Sequence, residues 1–148
     1  MKHLKFTSVA ILFALAFCFI NASAADNKQQ TMTQEFCDEG IQKAVDCFNE
    51  MATKIDEIET VEQLQELEQI MNSMKMRNVR KKYGKIELTD EYRQRLIDAN
   101  IKIAKSMTDM TVRLNLPYEV RAMLEANASP EKITQGVNEA KTLREVME

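Results

Sequence analysis

Histidine is missing from every position of this sequence but the third, and tryptophan is missing altogether. Without a second imidazole, His-based triads, His–metal sites and imidazole acid–base catalysis lack their residues. Glycine and proline are nearly as scarce, at three and two. Few turn formers leave little room for hairpins, and no stretch alternates with period two over a strand length. There is no glycine-rich phosphate loop and no Cys-x-x-Cys. Carboxylates are plentiful, but none falls on an apolar helix face. No acid–base pair with divergent environments is therefore on offer. These gaps argue against an enzyme, and no catalytic, cofactor or metal residues are assigned.

What is present begins with a leader. Met1-Lys2-His3-Leu4-Lys5 is a positive n-region, Val9 to Ile20 is an unbroken apolar run, and Ala22-Ser23-Ala24 has the small-x-small cleavage pattern. Residues 1–24 read as a secretory signal peptide cut before Ala25. The run is too short to span a bilayer, which takes about 20 apolar residues. A lipoprotein anchor at Cys18 is rejected because Phe17 stands where a small residue belongs. The leader carries Lys2 and Lys5 and no acid. The mature chain of 124 residues therefore keeps 18 of the 20 Lys plus Arg against all 23 Asp plus Glu, a net charge of −5. It loses His3, Cys18 and four of six phenylalanines. That length suits one domain and can bury a sizeable core. The expected location is the periplasm or the exterior.

The most regular stretch runs from Leu88 to Leu116. Thr89 is a good N-cap, Asp90 and Glu91 suit the first turn, and Arg113 suits the last. Pro117 restricts Leu116 and opposes continuation of the helix. Tyr92, Leu96, Ala99, Ile103, Met107, Met110 and Leu114 form one helical stripe; Ile97, Ile101, Ala104 and Val112 form a second. Arg95, Asp98, Lys102, Lys105, Asp109 and Arg113 fill the remaining surface. Apolar on two sides, this helix is expected at the centre, with both stripes buried.

Residues 25–33 read as a flexible lead-in and 34–148 as one helical domain. Cys37, Ile41, Ala44, Phe48, Met51, Ala52 and Ile55 share a face, predicting a helix over about 41–58 that extends back to 34. Gly40 weakens the pattern. Thr60 and Gln63 form a capping box opening a second helix, with Leu64, Leu67, Met71 and Met74 inward and Gly84 as its C-cap. One continuous rod through both helices is the alternative. A short helix starts at Pro117. Ser129-Pro130 starts a last helix carrying Ile133, Val137, Ala140 and Leu143 to Val146. Gly136 lowers its stability, so it is expected to fray or dock weakly. The fold class is all-α: an antiparallel bundle of three long helices plus one or two short C-terminal ones.

Three features bear on function. Cys37 and Cys47 are candidates for a disulfide, as exported cysteines often pair. On one straight helix they would sit about 15 Å apart along the axis, so a bond requires the chain to reverse near Gly40. Two free thiols or a bridge between chains are the alternatives. Met71, Met74 and Met76, with Met107 and Met110, could hold Cu(I) through thioethers or simply fill the core. Lys75, Arg77, Arg80, Lys81, Lys82 and Lys85 run without an acid between them and could meet an anionic surface. Nucleic acid does not fit an acidic exported chain.

Leu88-Thr89-Asp90-Glu91-Tyr92 resembles the LTxxQ motif of the Spy-type periplasmic chaperones, with Tyr92 in the place of the motif's Gln and no second copy. More broadly, Phe48 to Met110 resembles a family of small exported helical proteins of Gram-negative gut bacteria whose function is unknown. It shares their Thr-x-Glu-x-Leu opening, the KKYG break and the LTD helix start. That resemblance implies an exported location and carries over no functional residues. The expected function is a non-enzymatic periplasmic protein acting through protein–protein contacts, as a chaperone-like or envelope-stress binder. Methionine-based Cu(I) handling and a structural envelope role with a fixed partner are the alternatives.

Overall fold

The chain folds as an all-α bundle in a computed structural model that describes residues 32–148. The leader and residues 25–31 of the lead-in lie outside the described residues. Helix α1 is Gln34–Asp56. A 3-10 segment, Glu62–Glu66, leads into α2, Leu67–Met71, and then α3, Met74–Tyr83. The central helix α4 is Asp90–Arg113, succeeded by α5, Tyr118–Asn127, α6, Pro130–Glu139, and α7, Leu143–Met147.

Capping explains most boundaries. Thr33, Ser73, Thr89 and Ser129 each accept a bond from the amide three residues on, satisfying one orphan donor of the helix each opens. Helix α4 stops before Pro117 acts. Asn115 takes the left-handed conformation at φ 51°. Its N–H donates to Val112 O at 3.0 Å, and that of Leu116 donates to Thr111 O at 3.0 Å. This pair of bonds is a Schellman closure with Asn in the position usually held by glycine.

The two longest helices run parallel. Gln34 and Asp38 meet Tyr92, Gln42 meets Arg95, and Ile55 and Ile58 meet Arg113, so both chains climb together. Helix α3 runs antiparallel to α1: Lys75 pairs with Glu50 at one end, and Tyr83 packs at Gly40 at the other. Helix α6 is antiparallel to α4, with Arg93 at the start of α4 reaching Val137 O and Ala140 O. Parallel neighbours cannot be joined by a short turn. Residues 57–89 therefore travel back down the bundle before α4 begins.

The core centres on α4 as the periodicity predicts. Leu96, Met107 and Met110 are fully buried, and Ile103 nearly so; each such side chain is worth roughly 1.5–3 kcal/mol of transfer free energy. The second stripe is only partly enclosed: Ile97 and Ala104 are buried, Ile101 is intermediate, and Val112 is 59% exposed. Its chain neighbours Thr111, fully buried, and Arg113, bonded to Ile55 O and Ile58 O, still meet the bundle, so Val112 is turned to solvent by the helical period and not by distance from α1.

Two further expectations need correction. The second long helix is broken at Asn72. Its capping box forms, with Gln63 Oε1 accepting from Thr60 N at 3.1 Å, but it opens a 3-10 turn. Ser73 then restarts the helix, which resets the phase. Met76 goes inside and Met74 is turned out, 69% exposed. The rod through α1 is likewise excluded, because α1 closes at Asp56 with Arg113 bonding Ile55 O and Ile58 O. The C-terminal segment neither frays nor continues as one helix. Ala140 and Thr142 are extended, and Thr142 bridges antiparallel to Glu87. Leu88 N donates to Lys141 O, Leu143 N to Ile86 O and Arg144 N to Gly84 O, all within 3.0 Å. Leu143 is fully buried. Gly84 caps α3 as expected, but with φ −60° rather than left-handed. Its role is close approach, since a Cβ there would collide with Arg80 O and lie 3.1 Å from the Cβ of Arg144.

Candidate functional site

Parallel pairing brings two polar helix faces together. Asn49, Ala52, Thr53 and Asp56 are spaced i, i+3, i+4, i+7 on α1. Lys102, Lys105, Ser106 and Asp109 repeat that spacing on α4. They line one cleft of about 360 Å³, within the range of small-molecule sites. Its floor is made by small residues: Ala52 and Ser106 are each 7% exposed. Thr53 is turned back, donating to Asn49 O at 3.1 Å. Asn49 Oδ1 is buried and accepts no hydrogen bond. Such an atom costs about 1–3 kcal/mol when left unsatisfied.

The charges of the cleft are not spent on one another. Elsewhere the surface closes the i, i+4 pairs Lys43–Glu39, Lys54–Glu50 and Arg144–Glu148. Among the described residues, no opposite charge lies within 4.0 Å of Asp56, Lys102, Lys105 or Asp109.

The basic run sits mostly on the outer face of α3, opposite buried Met76, Val79 and Tyr83. Lys75 is engaged, with its ammonium 2.6 Å from Glu50 Oε2; that bond holds the Glu50 carboxyl below its ordinary range. Lys82 lies over the Tyr83 ring, 4.8 Å from its centroid. Arg77, Arg80, Lys81, Lys82 and Lys85 have no carboxylate within 4.0 Å among the described residues.

Both cysteines are free thiols on the continuous helix α1, which does not reverse at Gly40. The within-chain disulfide is therefore not made. Burial pushes the Cys37 and Cys47 thiols up, away from the thiolate form that would react. The methionines do not share one accessible face. Met107 and Met110 are fully buried, Met76 is 3% exposed, and Met74 points away from the core. No group of three or more His, Cys, Asp or Glu is placed to hold a metal ion among the described residues.

At the Leu88–Tyr92 motif, Thr89 caps α4. The Tyr92 hydroxyl donates to Asp38 Oδ1 at 2.5 Å and accepts from Gln34 Nε2 at 2.7 Å. Burial and then the Asp38 carboxylate push its pKa up to about 12. Tyr92 ties α4 to α1 as a fixed neutral donor. Comparison with known proteins finds no matching family model, no matching curated protein and no matching solved structure. Sequence reasoning named Lys102, Lys105 and Asp109 only as surface and did not single out Asn49 or Ser106. Their shared spacing was the available signal.

Proposed function

We propose that this protein is a non-enzymatic, exported helical protein that works by binding another protein, and that the outer face of α3 receives an acidic segment of that partner. The carrying observation is charge segregation. Five cations without a carboxylate partner, four on α3 and Lys85 just past its end, gather in a chain whose net charge is negative. Such a face repels itself and attracts a complementary surface. Its one large exposed apolar side chain is Met74, and a single such side chain gives little purchase in lipid, which favours an acidic peptide over a bilayer. The large exposed apolar side chains, Met74, Val112, Tyr118 and Met123, are few, and Val112, Tyr118 and Met123 lie on other helices. They give less support to chaperone-like capture of unfolded clients.

The test is fluorescence anisotropy with a labelled Glu-rich 20-residue peptide. Binding should weaken steeply as salt rises and be lost in the Lys81→Glu/Lys85→Glu variant. Binding to phosphatidylglycerol vesicles with none to the peptide would move the partner to lipid and sink the protein-partner reading. The exported location is tested by mass spectrometry of the mature protein, whose N-terminus should lie near Ala25.

A further inference from the structure

The cleft between α1 and α4 is separate from the basic face and is electrically polarised along its length. The side-chain pairs between the two helices hold a nearly constant register. Arg95 meets Gln42, while Arg113 meets Ile55 and Ile58. In that register Asn49 lies level with Lys102 and Lys105, and Asp56 lies level with Asp109 or just beyond it. One end of the cleft is therefore cationic and the other anionic, with a buried amide oxygen and a serine between the helices. Lys105 and Asp109 are about 6 Å apart along the axis at 1.5 Å per residue.

We propose that this cleft binds a short zwitterionic peptide of dipeptide size. An extended dipeptide spans at most about 7 Å, close to the axial rise from Lys105 to Asp109, and the flexible lysine stems take up the difference. Its carboxylate lies toward Lys102 and Lys105, and its ammonium toward Asp56 and Asp109. A rotation of the Asn49 amide would turn Oδ1, closed to solvent in the free protein, to accept from the dipeptide's N–H. The small side chains of Ala52 and Ser106 leave room for the backbone. Four charges unpaired in the free protein then become two ion-pair clusters.

Titration calorimetry on the whole mature chain tests this with L-alanyl-L-alanine as the probe. Eleven heavy atoms at an ordinary ligand efficiency correspond to a Kd of about a millimolar. N-acetylation and C-terminal amidation of the probe should each weaken binding by up to about fivefold, the upper end for one half-exposed ion pair. Asp56→Asn/Asp109→Asn should remove the penalty for acetylation, and Lys102→Gln/Lys105→Gln that for amidation. All four side chains are exposed, and matching circular dichroism melts would confirm that the variants fold. The absence of saturable heat would overturn the proposal. So would equal affinity for free and doubly capped probes, or capping penalties that survive both substitutions. Lys81→Glu/Lys85→Glu should leave this binding untouched, which separates it from docking on α3.

Discussion

Gly40 offers the sharpest test of the packing. It lies inside α1, where glycine costs a helix about 1 kcal/mol relative to alanine. On helix propensity alone, Gly40→Ala should stabilise the protein by that amount. The structure predicts the opposite sign. A Cβ built at Gly40 would fall 2.4 Å from Ile86 Cδ1, 2.6 Å from Tyr83 Cδ1 and 2.9 Å from Tyr83 Cβ. The Ile86 methyl can rotate away, but Tyr83 Cβ is fixed to the α3 backbone, so the helices must separate. Overpacking of this kind costs about 1–3 kcal/mol. Taking the upper part of that range and subtracting the propensity gain leaves about 1–2 kcal/mol of net destabilisation. Urea titration should show a lower midpoint at unchanged slope. Ile86→Val removes the nearest clashing carbon, so the double variant Gly40→Ala/Ile86→Val should be less destabilised than the sum of the two single changes. A rise in stability for Gly40→Ala would refute the close approach of α1 and α3.

The two stripes of α4 should differ in cost. Ile103→Ala should cost about 2–5 kcal/mol as a large-to-small change in the core. Ile101→Ala should cost distinctly less, and Lys102→Ala and Val112→Ala should stay within about 0.5 kcal/mol; denaturant titration of the four variants grades the stripes. Asn115→Ala should cost up to about 1 kcal/mol, because Ala keeps the Cβ crowding of left-handed backbone and loses the short polar side chain that lets Asn tolerate it, while Asn115→Gly should not destabilise, as read from thermal melts. The Tyr92 hydroxyl has an ordinary pKa of 10.0 and a folded value of about 12. A raised acid keeps its proton longer in the fold than in the unfolded chain. Its contribution to stability is therefore complete below pH 10 and is lost between pH 10 and 12. Tyr92→Phe should flatten the stability profile in that window.

The sequence is most legible where several signals coincide. In α4, cap, first-turn acids, apolar stripe and closing proline all point to one helix, and its ends fall within three residues of that expectation. The second helix is less legible because Leu64, Leu67, Met71 and Met74 keep helical spacing across Asn72-Ser73. Those two residues are a stop and a start, and a cap inside a periodic run is easily taken for surface. The C-terminal helix reads as one element because Ala140 and Leu143 remain in phase. What extends residues 140–142 is backbone pairing with 86–88, contacts that no local pattern announces. The cleft is hidden for a similar reason. Two polar stripes with identical spacing are visible, but each alone is an ordinary solvated face. Only the parallel pairing of α1 and α4, a property of the whole topology, sets them opposite each other.

That parallel pairing also governs how the chain must find its fold. Contacts such as Gln42–Arg95 and Ile58–Arg113 join residues more than 50 positions apart. Closing a loop of that length costs about 2 kcal/mol more entropy than closing a five-residue turn. The largest interface in the bundle therefore cannot nucleate cheaply. The local hairpin of α1 with α3 is the less costly first step, and α4 docks onto a platform already formed. Helical though it is, this protein should fold more slowly than a bundle of the same size joined by short turns. Substitutions at the seam of α1 and α4 should speed unfolding while leaving the folding rate nearly unchanged.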